Sequence, residues 1–494
     1  MNKKIVIIGG GVAGLSAGIY ARLNGFDTTI IEMHSITGGQ CTAWERKGYR
    51  FDYCLHWLVG TRSGPFHDIW LETNIINDQV KIIDHEVHTK VFAEDGTDFT
   101  VYTNIDKWEK YLCEIAPEDT KSIMKMCNDM RKTSVLEPYS NPPELRRGID
   151  KISSFFKMLP VIILFIKHGK KTFKEYIGQF NFKSPRLKFF LENLFSTHDF
   201  SALAFIMMLA WFHKKNAGYL IGGSKPMAQR MTQKYLNLSG VLLTNKKTEK
   251  IIVEDNIAKG VLLDDGSTIF ADYVISAADG HSTIFDMLEG NYLSEKIKEA
   301  YNSWELFNPI VQVSFGINTD LQTDIPVQSW LTKNSNIGMT KTDQGYSIMN
   351  YCFDPSMAPP GKSVIVIRFE SPWDLWKDLE GGEYMKEKQE IEKDARLLME
   401  KHFPGISGKI EVVDVATPLT DVRYTGVWKG SYEGFLPSSK NLMSSLKPTL
   451  PGLNGFYMAG QWLSPGGGLP PAGQTGKWVI QLICKKEKQP FTNH

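Results

Sequence analysis

Three glycines near the start of the chain have the spacing that lets a backbone hold a dinucleotide. They follow the β-branched run Ile5 to Ile8, which is typical of a strand buried on both faces. Gly9 permits a tight turn, Gly11 lets the backbone approach a pyrophosphate, and Gly14 lets a helix lie close to the strand. The pattern therefore predicts a strand, a nucleotide-binding turn and a helix, in that order.

The residues after this turn are those that a dinucleotide site requires. We predict a helix that begins at Val12 and ends near Asn24, and the N–H groups of Val12 and Ala13 would hold the phosphates. A second strand, Thr28 to Ile31, leads to Glu32, roughly 20 residues after the glycines, where a carboxylate binds the ribose. A glycine pattern alone is a weak signal, but this context makes it specific.

A second pair of glycines indicates which dinucleotide is bound. Gly38 and Gly39, followed by Gln40, would return the chain beneath the pyrophosphate, which favours FAD over NAD. Gly222 and Gly223 lack the spacing and the downstream acid of a second dinucleotide motif. A separate NAD(P)H domain is therefore not expected.

The cysteines offer little further chemistry. Six of them, at positions 41, 54, 113, 127, 352 and 484, are sparse for a chain of 494 residues. They form neither a Cys-x-x-Cys pair nor a cluster with metal-ligand spacing, so we expect reduced thiols in a cytoplasmic protein and no metal site. Cys41 and Cys54 cannot share a helical turn, which disfavours thiol relay chemistry. Cys41 is expected to be a small buried residue.

Length and composition limit the class of protein. At 494 residues the chain exceeds one ordinary domain, and its 42% apolar and 22% charged residues are typical of a globular protein. With 56 basic and 55 acidic residues, no overall field favours nucleic acid as a partner. The clearest apolar run, Val161 to Ile166, is far shorter than the roughly 20 residues that cross a bilayer, so no transmembrane helix is expected.

Four blocks of sequence share a resemblance to one family. They are Gly9 to Gly39 with the following Gly48 to His56, Gly218 to Glu254, Ala271 to Asp279, and Gly455 to Gly473. Together they resemble the phytoene desaturase and retinol saturase family of FAD-dependent oxidoreductases, which is similar to the amine oxidase type of flavin fold. The blocks extend over nearly the whole chain.

The resemblance implies an α/β fold, in which a Rossmann-like FAD-binding domain contains an inserted mixed-sheet and helical substrate domain. The FAD-binding domain would be discontinuous, comprising residues 1–90, 215–290 and 420–494. The substrate domain, which would also carry any membrane contact, would comprise residues 91–214 and 291–419. Within it, Ile310 to Ile317 and Val364 to Phe369 are predicted strands, and Tyr384 to His402 is a predicted charged surface helix.

The residues of the last block, Gly455 to Gly473, also indicate a flavin site on physical grounds. A strand ending at Gly460, several glycines and a helix beginning near Ala472 would direct a positive helix end at the negative pyrimidine edge of a reduced flavin. Gln461 replaces an acidic residue that is frequent in the family, so the ribityl contact would come from an amide. The remaining candidate FAD contacts are Met33, Thr248, Ala277, Ala278, Gly460, Gln461, Gly468, Leu469 and Ala472.

His56 is the candidate catalytic residue, because the family often places a residue there near the flavin. A tunable imidazole could give a proton to a substrate carbon. The alternative is a histidine that ties its loop to a carbonyl group. A second histidine, His198, with Asp199 could form a buried acid–base pair, but a capped turn between two helices is favoured.

The family implies an enzyme that adds or removes hydrogen across a carbon–carbon bond of a hydrophobic polyene or unsaturated lipid, with an external electron donor or acceptor. A double-bond isomerase, or an amine or protoporphyrinogen oxidase, remains an alternative. A non-catalytic lipid carrier of the same fold, as in GDP-dissociation inhibitors, is disfavoured by the intact glycines. The apolar and aromatic stretch Phe189 to Trp211 would suit a lipid-like substrate.

One segment of the chain is strongly basic. Residues 146 to 188 contain eleven Lys or Arg against Asp150 and Glu175, and they enclose the apolar residues 155–166. Such a segment could lie in the headgroup layer of an anionic membrane, which would make the protein peripheral on the inner face. A core helix with a solvated basic flank is the alternative.

Overall fold

The computed structural model describes residues 2–134, 138–146, 163–194, 199–333, 335–343 and 345–494. The predictions for His198 and for the part of the basic segment at 147–162 lie outside the described residues. In the described part of the chain, no helix has the length and apolar character needed to span a bilayer.

A five-stranded parallel sheet forms around the β-branched strand predicted at the start of the chain. That strand, Lys4–Ile8, is almost fully buried after its first residue, as expected of a strand covered on both faces. The sequence prediction of an α/β fold with a Rossmann-like sheet is confirmed. In spatial order the strands are Val241–Leu243, Asp27–Ile31, Lys4–Ile8, Tyr273–Ser276 and Phe456–Met458.

Two helices from opposite ends of the chain pack closely against each other at this sheet. The first helix (Val12–Leu23) follows the glycine turn, and the closing helix (Leu469–Lys486) ends the fold. The closing helix begins three residues before the predicted Ala472. Two prolines occupy its first turn, which they tolerate because the N–H groups there need no intrahelical partner.

A seven-stranded mixed sheet forms the second layer. The predicted strands are confirmed as Ile310–Ile317 and Ser363–Glu370, and the charged surface helix is confirmed as Gly381–His402. Neighbouring strands are antiparallel except Val327–Trp330 and Val87–Phe92, which are parallel. The full strand order is Ile410–Ala416, Ile310–Ile317, Ser363–Glu370, Tyr346–Asn350, Val327–Trp330, Val87–Phe92 and Asp98–Tyr102.

A cluster of helices packs around its own aromatic core beside this sheet. The rings of Phe99 and Phe190 stack with centroids 5.2 Å apart, and Phe205 contacts the ring of Trp108 edge-on at 6.4 Å. The helices of this helical cluster are Ile105–Ile115, Thr120–Thr133, Phe173–Gly178, Pro185–Glu192 and Ala202–His213.

The remaining elements are shorter and connect these layers. A three-stranded antiparallel sheet consists of Thr248–Glu254, Ile257–Leu263 and Thr268–Phe270. The other helices are Gly64–Glu72, Ser224–Asn237, Glu295–Ser303 and Pro418–Thr425. The other strands are Ala43–Arg46, Tyr49–Asp52, Leu58–Val59, Ile82–Ile83, Ala217–Leu220, Asn336–Ile337 and Thr340–Lys341.

Asp52 joins several of these layers at one buried point. Its carboxylate accepts hydrogen bonds from the Ser224 N–H at 2.6 Å, the Ser224 hydroxyl at 2.7 Å and the Leu55 N–H at 2.9 Å. Gln312, on the central strand Ile310–Ile317, donates to the Asp52 carbonyl oxygen at 3.0 Å. The residue therefore links the start of helix Ser224–Asn237 to the seven-stranded sheet.

Replacing Asp52 by alanine should lower the free energy of unfolding by about 3 kcal/mol, because buried donors of Ser224 and Leu55 would lose their acceptor. Urea-induced unfolding at saturating FAD measures the change. Asp78→Ala, at an exposed position, is the matched control and should change the free energy by less than about 0.5 kcal/mol. Equal unfolding midpoints for both variants would contradict this role.

Candidate active site

A single cavity of about 1480 Å³ is lined by both sheets, by the N-terminal turns of the first and closing helices, and by the helical cluster. Ligand pockets for molecules of drug size usually measure roughly 300 to 1,000 Å³. This cavity therefore has room for a dinucleotide together with a second, elongated molecule.

The structure brings nearly all the predicted cofactor residues to this cavity. Gly14 is the exception, because a Cβ there would overlap the carbonyl oxygen of Gly9; it sets the distance between helix and turn. That the other residues contact FAD stays a prediction. The predicted residues that line the cavity are Gly9, Gly11, Val12, Ala13, Glu32, Met33, Gly38, Gly39, Gln40, Thr248, Ala277, Ala278, Gly460, Gln461, Gly468, Leu469 and Ala472.

The predicted pyrophosphate site has the open backbone that a phosphate needs. Gly11 is the N-cap of the first helix, and no described side chain caps that helix end. A Cβ on Gly11 would come no closer than 3.8 Å to the nearest protein atom, the carbonyl oxygen of Gly38. The Gly38 N–H donates to the Gly10 carbonyl at 2.9 Å, which places the second glycine pair beside the first. Free N–H groups and a positive helix end thus face open space.

The predicted adenosine end contains a buried carboxylate and a buried hydroxyl. Glu32 accepts hydrogen bonds from the Gly10 N–H at 2.7 Å and the His34 N–H at 2.8 Å, and burial raises its pKa. The hydroxyl of Thr248 is buried and has no hydrogen-bond partner among the described residues. An unsatisfied buried hydroxyl costs about 1–3 kcal/mol, so the pair fits a ligand that brings its own polar groups.

The predicted flavin end lies at the start of the closing helix. Gly468, with φ +91°, is the N-cap, and no described side chain caps this helix end either. The Gly460 N–H donates to the Thr475 hydroxyl at 2.8 Å, which fixes the strand end against the helix. Gln461 lines the cavity, but its amide donates to the Tyr432 carbonyl at 3.1 Å. The residues at this end therefore fit the anionic edge of a flavin.

The apolar stretch predicted as a substrate wall divides between two environments. Met207, Met208 and Trp211 line the cavity, whereas Leu203 and Phe205 are buried in the helical cluster. The division follows helical periodicity, because residues three or four apart share one face. Leu194, Phe200 and Ala204 extend the cavity wall.

The structure holds His56 in a polar network. Its Nε2 accepts a hydrogen bond from Arg368, and the hydroxyl of Tyr351 lies 3.5 Å from Nδ1. Burial and the Arg368 charge lower the pKa of His56 well below its usual value, so the ring is neutral at neutral pH. The alternative, in which His56 ties its loop to a carbonyl group, does not match the structure, since its ring nitrogens face Arg368 and Tyr351. Its catalytic role stays a prediction.

Sequence reasoning missed Arg368, which organises this network. Its Nε donates to the Gln312 amide oxygen at 2.8 Å, and its guanidinium also contacts the Tyr53 carbonyl. The available signal was the position of Arg368 within the apolar run Val364 to Phe369. A charged side chain is rarely buried in a protein unless it is paired with another polar group.

The fold also brings together two thiols that lie thirteen residues apart. Cys41 and Cys54 both line the cavity. Their mutual hydrogen bond is the largest influence on the pKa of Cys54, which it raises together with burial. The two cysteines share no helical turn, as expected, and their contact was not predicted. The raised pKa keeps Cys54 protonated, so thiolate chemistry remains disfavoured.

Comparison with known proteins agrees with this arrangement. The family model described as flavin containing amine oxidoreductase matches residues 12–479. This chain belongs to that family. The predictions of an FAD-dependent oxidoreductase and of an amine oxidase type of flavin fold are confirmed.

Two curated relatives and one solved structure are similar to nearly the whole of this chain. A prolycopene isomerase from an Oncidium hybrid is 24% identical over 478 residues, which cover 94% of this chain and 81% of that protein. A 4,4'-diapophytoene desaturase from Methylomonas is 24% identical over 508 residues, covering 99% and 97%. The cyclohexylamine oxidase of Brevibacterium oxydans superposes with a TM-score of 0.63 at 11% identity, covering 99% of this chain and 100% of that one. The likeness to the oxidase shows the shared fold.

Replacing Gly11 by valine should remove FAD from the purified protein without unfolding it. The side chain would meet little protein but would fill the predicted pyrophosphate position. The affinity for FAD should fall at least about tenfold, which corresponds to a loss of roughly 1.4 kcal/mol or more in binding, and the ratio of flavin to protein absorbance should fall with it.

Gly382→Val, at an exposed position with no atom within 4 Å of a Cβ, serves as the control and should retain its flavin. A Gly11→Val protein that keeps a full complement of FAD would show that the pyrophosphate lies elsewhere.

Proposed function

We propose that this protein adds or removes hydrogen across a carbon–carbon bond of a hydrophobic polyene, with FAD as its cofactor. The observation that carries the proposal is the continuity of one cavity. Glycine backbone and two helix N-termini line its predicted FAD region, and Met207, Met208 and Trp211 form an apolar wall. The names of the desaturase and isomerase relatives support a linear carotenoid-like substrate.

In this proposal the residues of the chain bind, orient and exclude water. The apolar wall buries the flank of a long polyene and keeps water from the reacting bond. The start of the closing helix stabilises the negative charge that develops at the flavin edge. Bound FAD supplies the acceptor or donor of hydride. Arg368 fixes the loop that carries Tyr53 and His56 along the cavity.

A double-bond isomerase is the second candidate. Prolycopene isomerases match 94% of this chain, a coverage similar to that of the desaturases. The same cavity would serve either reaction, because both need a polyene held against the flavin. The two reactions differ in electron balance, because a desaturase or saturase needs an external electron acceptor or donor and an isomerase needs neither.

The flavin spectrum should report the reaction directly. We expect anaerobic addition of phytoene or 4,4'-diapophytoene in detergent micelles to bleach the oxidised flavin if the enzyme is a desaturase. Pre-reduced enzyme should be reoxidised by an unsaturated acceptor if it is a saturase. An isomerase should convert prolycopene while the flavin stays reduced.

Benzylamine and protoporphyrinogen serve as controls for the oxidase alternatives. Bleaching by either control and by none of the polyenes would overturn the proposed function.

We further propose that the basic segment contacts an anionic membrane surface on the cytoplasmic side. In its described part, Ile163 and Ile166 are 56% and 82% exposed. Lys167, Lys170 and Lys174 are exposed nearby. Apolar side chains beside basic ones suit the headgroup layer of an anionic bilayer.

Replacing Lys167, Lys170 and Lys174 by glutamine should weaken co-sedimentation with phosphatidylserine vesicles by up to about 100-fold at low salt, at roughly 1 kcal/mol per charge. FAD content should not change. The matched control replaces Lys386, Lys393 and Lys401, which are exposed on the helix Gly381–His402. If both triple variants bind these vesicles like the parent, the basic segment is an ordinary solvated surface.

A further inference from the structure

Glu433 places a carboxyl group without a partner at the predicted flavin end of the cavity. The side chain lines the cavity. A Cβ on Gly468, the N-cap of the closing helix, would lie 3.3 Å from its Oε1. No described residue forms a hydrogen bond or a salt bridge with this carboxyl group. A glycine at position 468 thus leaves room for the acid beside the helix end.

The backbone around Glu433 is held firmly. The Ser431 hydroxyl donates to the Gly434 carbonyl at 2.9 Å, and the Phe307 N–H donates to the same carbonyl at 3.0 Å. A Cβ on Gly467 would overlap the carbonyl oxygen of Glu433. These contacts fix the backbone that carries the Glu433 side chain. A group on a fixed backbone can be held in a productive geometry.

Three other titratable groups at the cavity are already engaged. His56 is neutral and bound to Arg368. Glu32 accepts two backbone hydrogen bonds at the predicted adenosine end. Asp279 accepts from the Ser282 N–H at 2.8 Å and from the Trp428 N–H at 2.9 Å, so it caps local backbone. In contrast to these three groups, Glu433 has both carboxyl oxygens available to a ligand.

We propose that Glu433 is the catalytic residue that exchanges a proton with the polyene. The assignment rests on the proposed function, because it requires a carbon substrate beside the flavin. It is independent of His56, whose nitrogens face Arg368 and Tyr351.

In the desaturase direction, FAD held at the start of the closing helix would supply the acceptor for the hydride, with its electron pair, that one substrate carbon loses. The neighbouring C–H bond breaks, its electron pair becomes the new π bond, and its proton passes to the Glu433 carboxylate. The acid then releases the proton to solvent. In the saturase direction each transfer runs in reverse. In an isomerase the protonated acid gives a proton to one polyene carbon and takes one back after bond rotation.

The acidity of Glu433 suits this exchange near neutral pH. Burial raises the pKa of Glu433 to about 7, close to the value at which an acid–base catalyst works best. Two titratable groups, Cys54 and Tyr432, face it closely enough that its charge raises their pKa values. Neither is ionised near neutral pH, so their presence leaves Glu433 to titrate alone.

The first test is the pH profile of the flavin reaction with phytoene, 4,4'-diapophytoene and prolycopene. Desaturation requires the carboxylate, so its rate should rise with pH through about 7. Saturation or isomerisation requires the acid, so its rate should fall through the same range. Glu433→Gln should lower the rate by about 10²- to 10⁴-fold and abolish this titration. Glu433→Asp should recover part of the rate and keep the titration.

The second test needs no substrate. Because the folded pKa of Glu433 lies above its usual value of 4.5, the parent loses stability as pH rises from about 4.5 to about 7. Glu433→Gln removes this loss, so the Tm of the variant relative to the parent should be higher at pH 8 than at pH 5. Glu383→Gln, exposed on the surface helix, should show a constant difference.

A parent that reacts with none of the three polyenes would overturn the proposed function together with this assignment. A parent that reacts, and whose pH profile survives Glu433→Gln at full rate, would overturn the assignment alone. A Tm difference that does not change with pH would also contradict it.

Discussion

The close packing of the first helix against the closing helix brings two helix N-termini to one cavity. A Cβ on Gly476 would lie 2.5 Å from the Ala13 carbonyl oxygen, and the Ser16 hydroxyl donates to the Gly473 carbonyl at 2.7 Å. Only a glycine permits so short a distance between the helices. The two helices come from opposite ends of the sequence, so the cofactor site exists only in the complete fold.

Further contacts hold the closing helix and the opposite side of the cavity in place. A buried ion pair between Lys477 and Glu72, with 2.6 Å between the charged atoms, ties the closing helix to the helix Gly64–Glu72. Removing one partner of such a pair leaves an uncompensated charge, which costs about 3–5 kcal/mol. On the other side of the cavity, Arg368 and Gln312 join the seven-stranded sheet to the Tyr53 loop. These contacts hold the closing helix and the Tyr53 loop in place at the cavity.

Local patterns predicted much of this arrangement, and long-range contacts account for what they missed. The strand before Gly9, the helix after it and the strand that leads to Glu32 follow from short runs of apolar residues and glycines. Glu433 has no comparable signal, because its significance depends on a lack of partners and on its contact with Gly468. The pairing of Cys41 with Cys54 depends on the antiparallel strands Ala43–Arg46 and Tyr49–Asp52, because Ala43 lies opposite Asp52 and the two thiols flank that pair. The two faces of the helix Ala202–His213 could have been separated by periodicity, but which face meets the cavity could not.

The proposed reaction requires a flavin and a polyene to occupy one continuous cavity, and a crystal structure of the protein with FAD and bound phytoene tests this most directly. We expect the flavin ring at the N-terminus of the closing helix. The polyene should lie between the ring and Met207, Met208 and Trp211, with the reacting bond next to Glu433. Flavin bound with its ring directed away from the closing helix, or phytoene bound outside this cavity, would contradict the account.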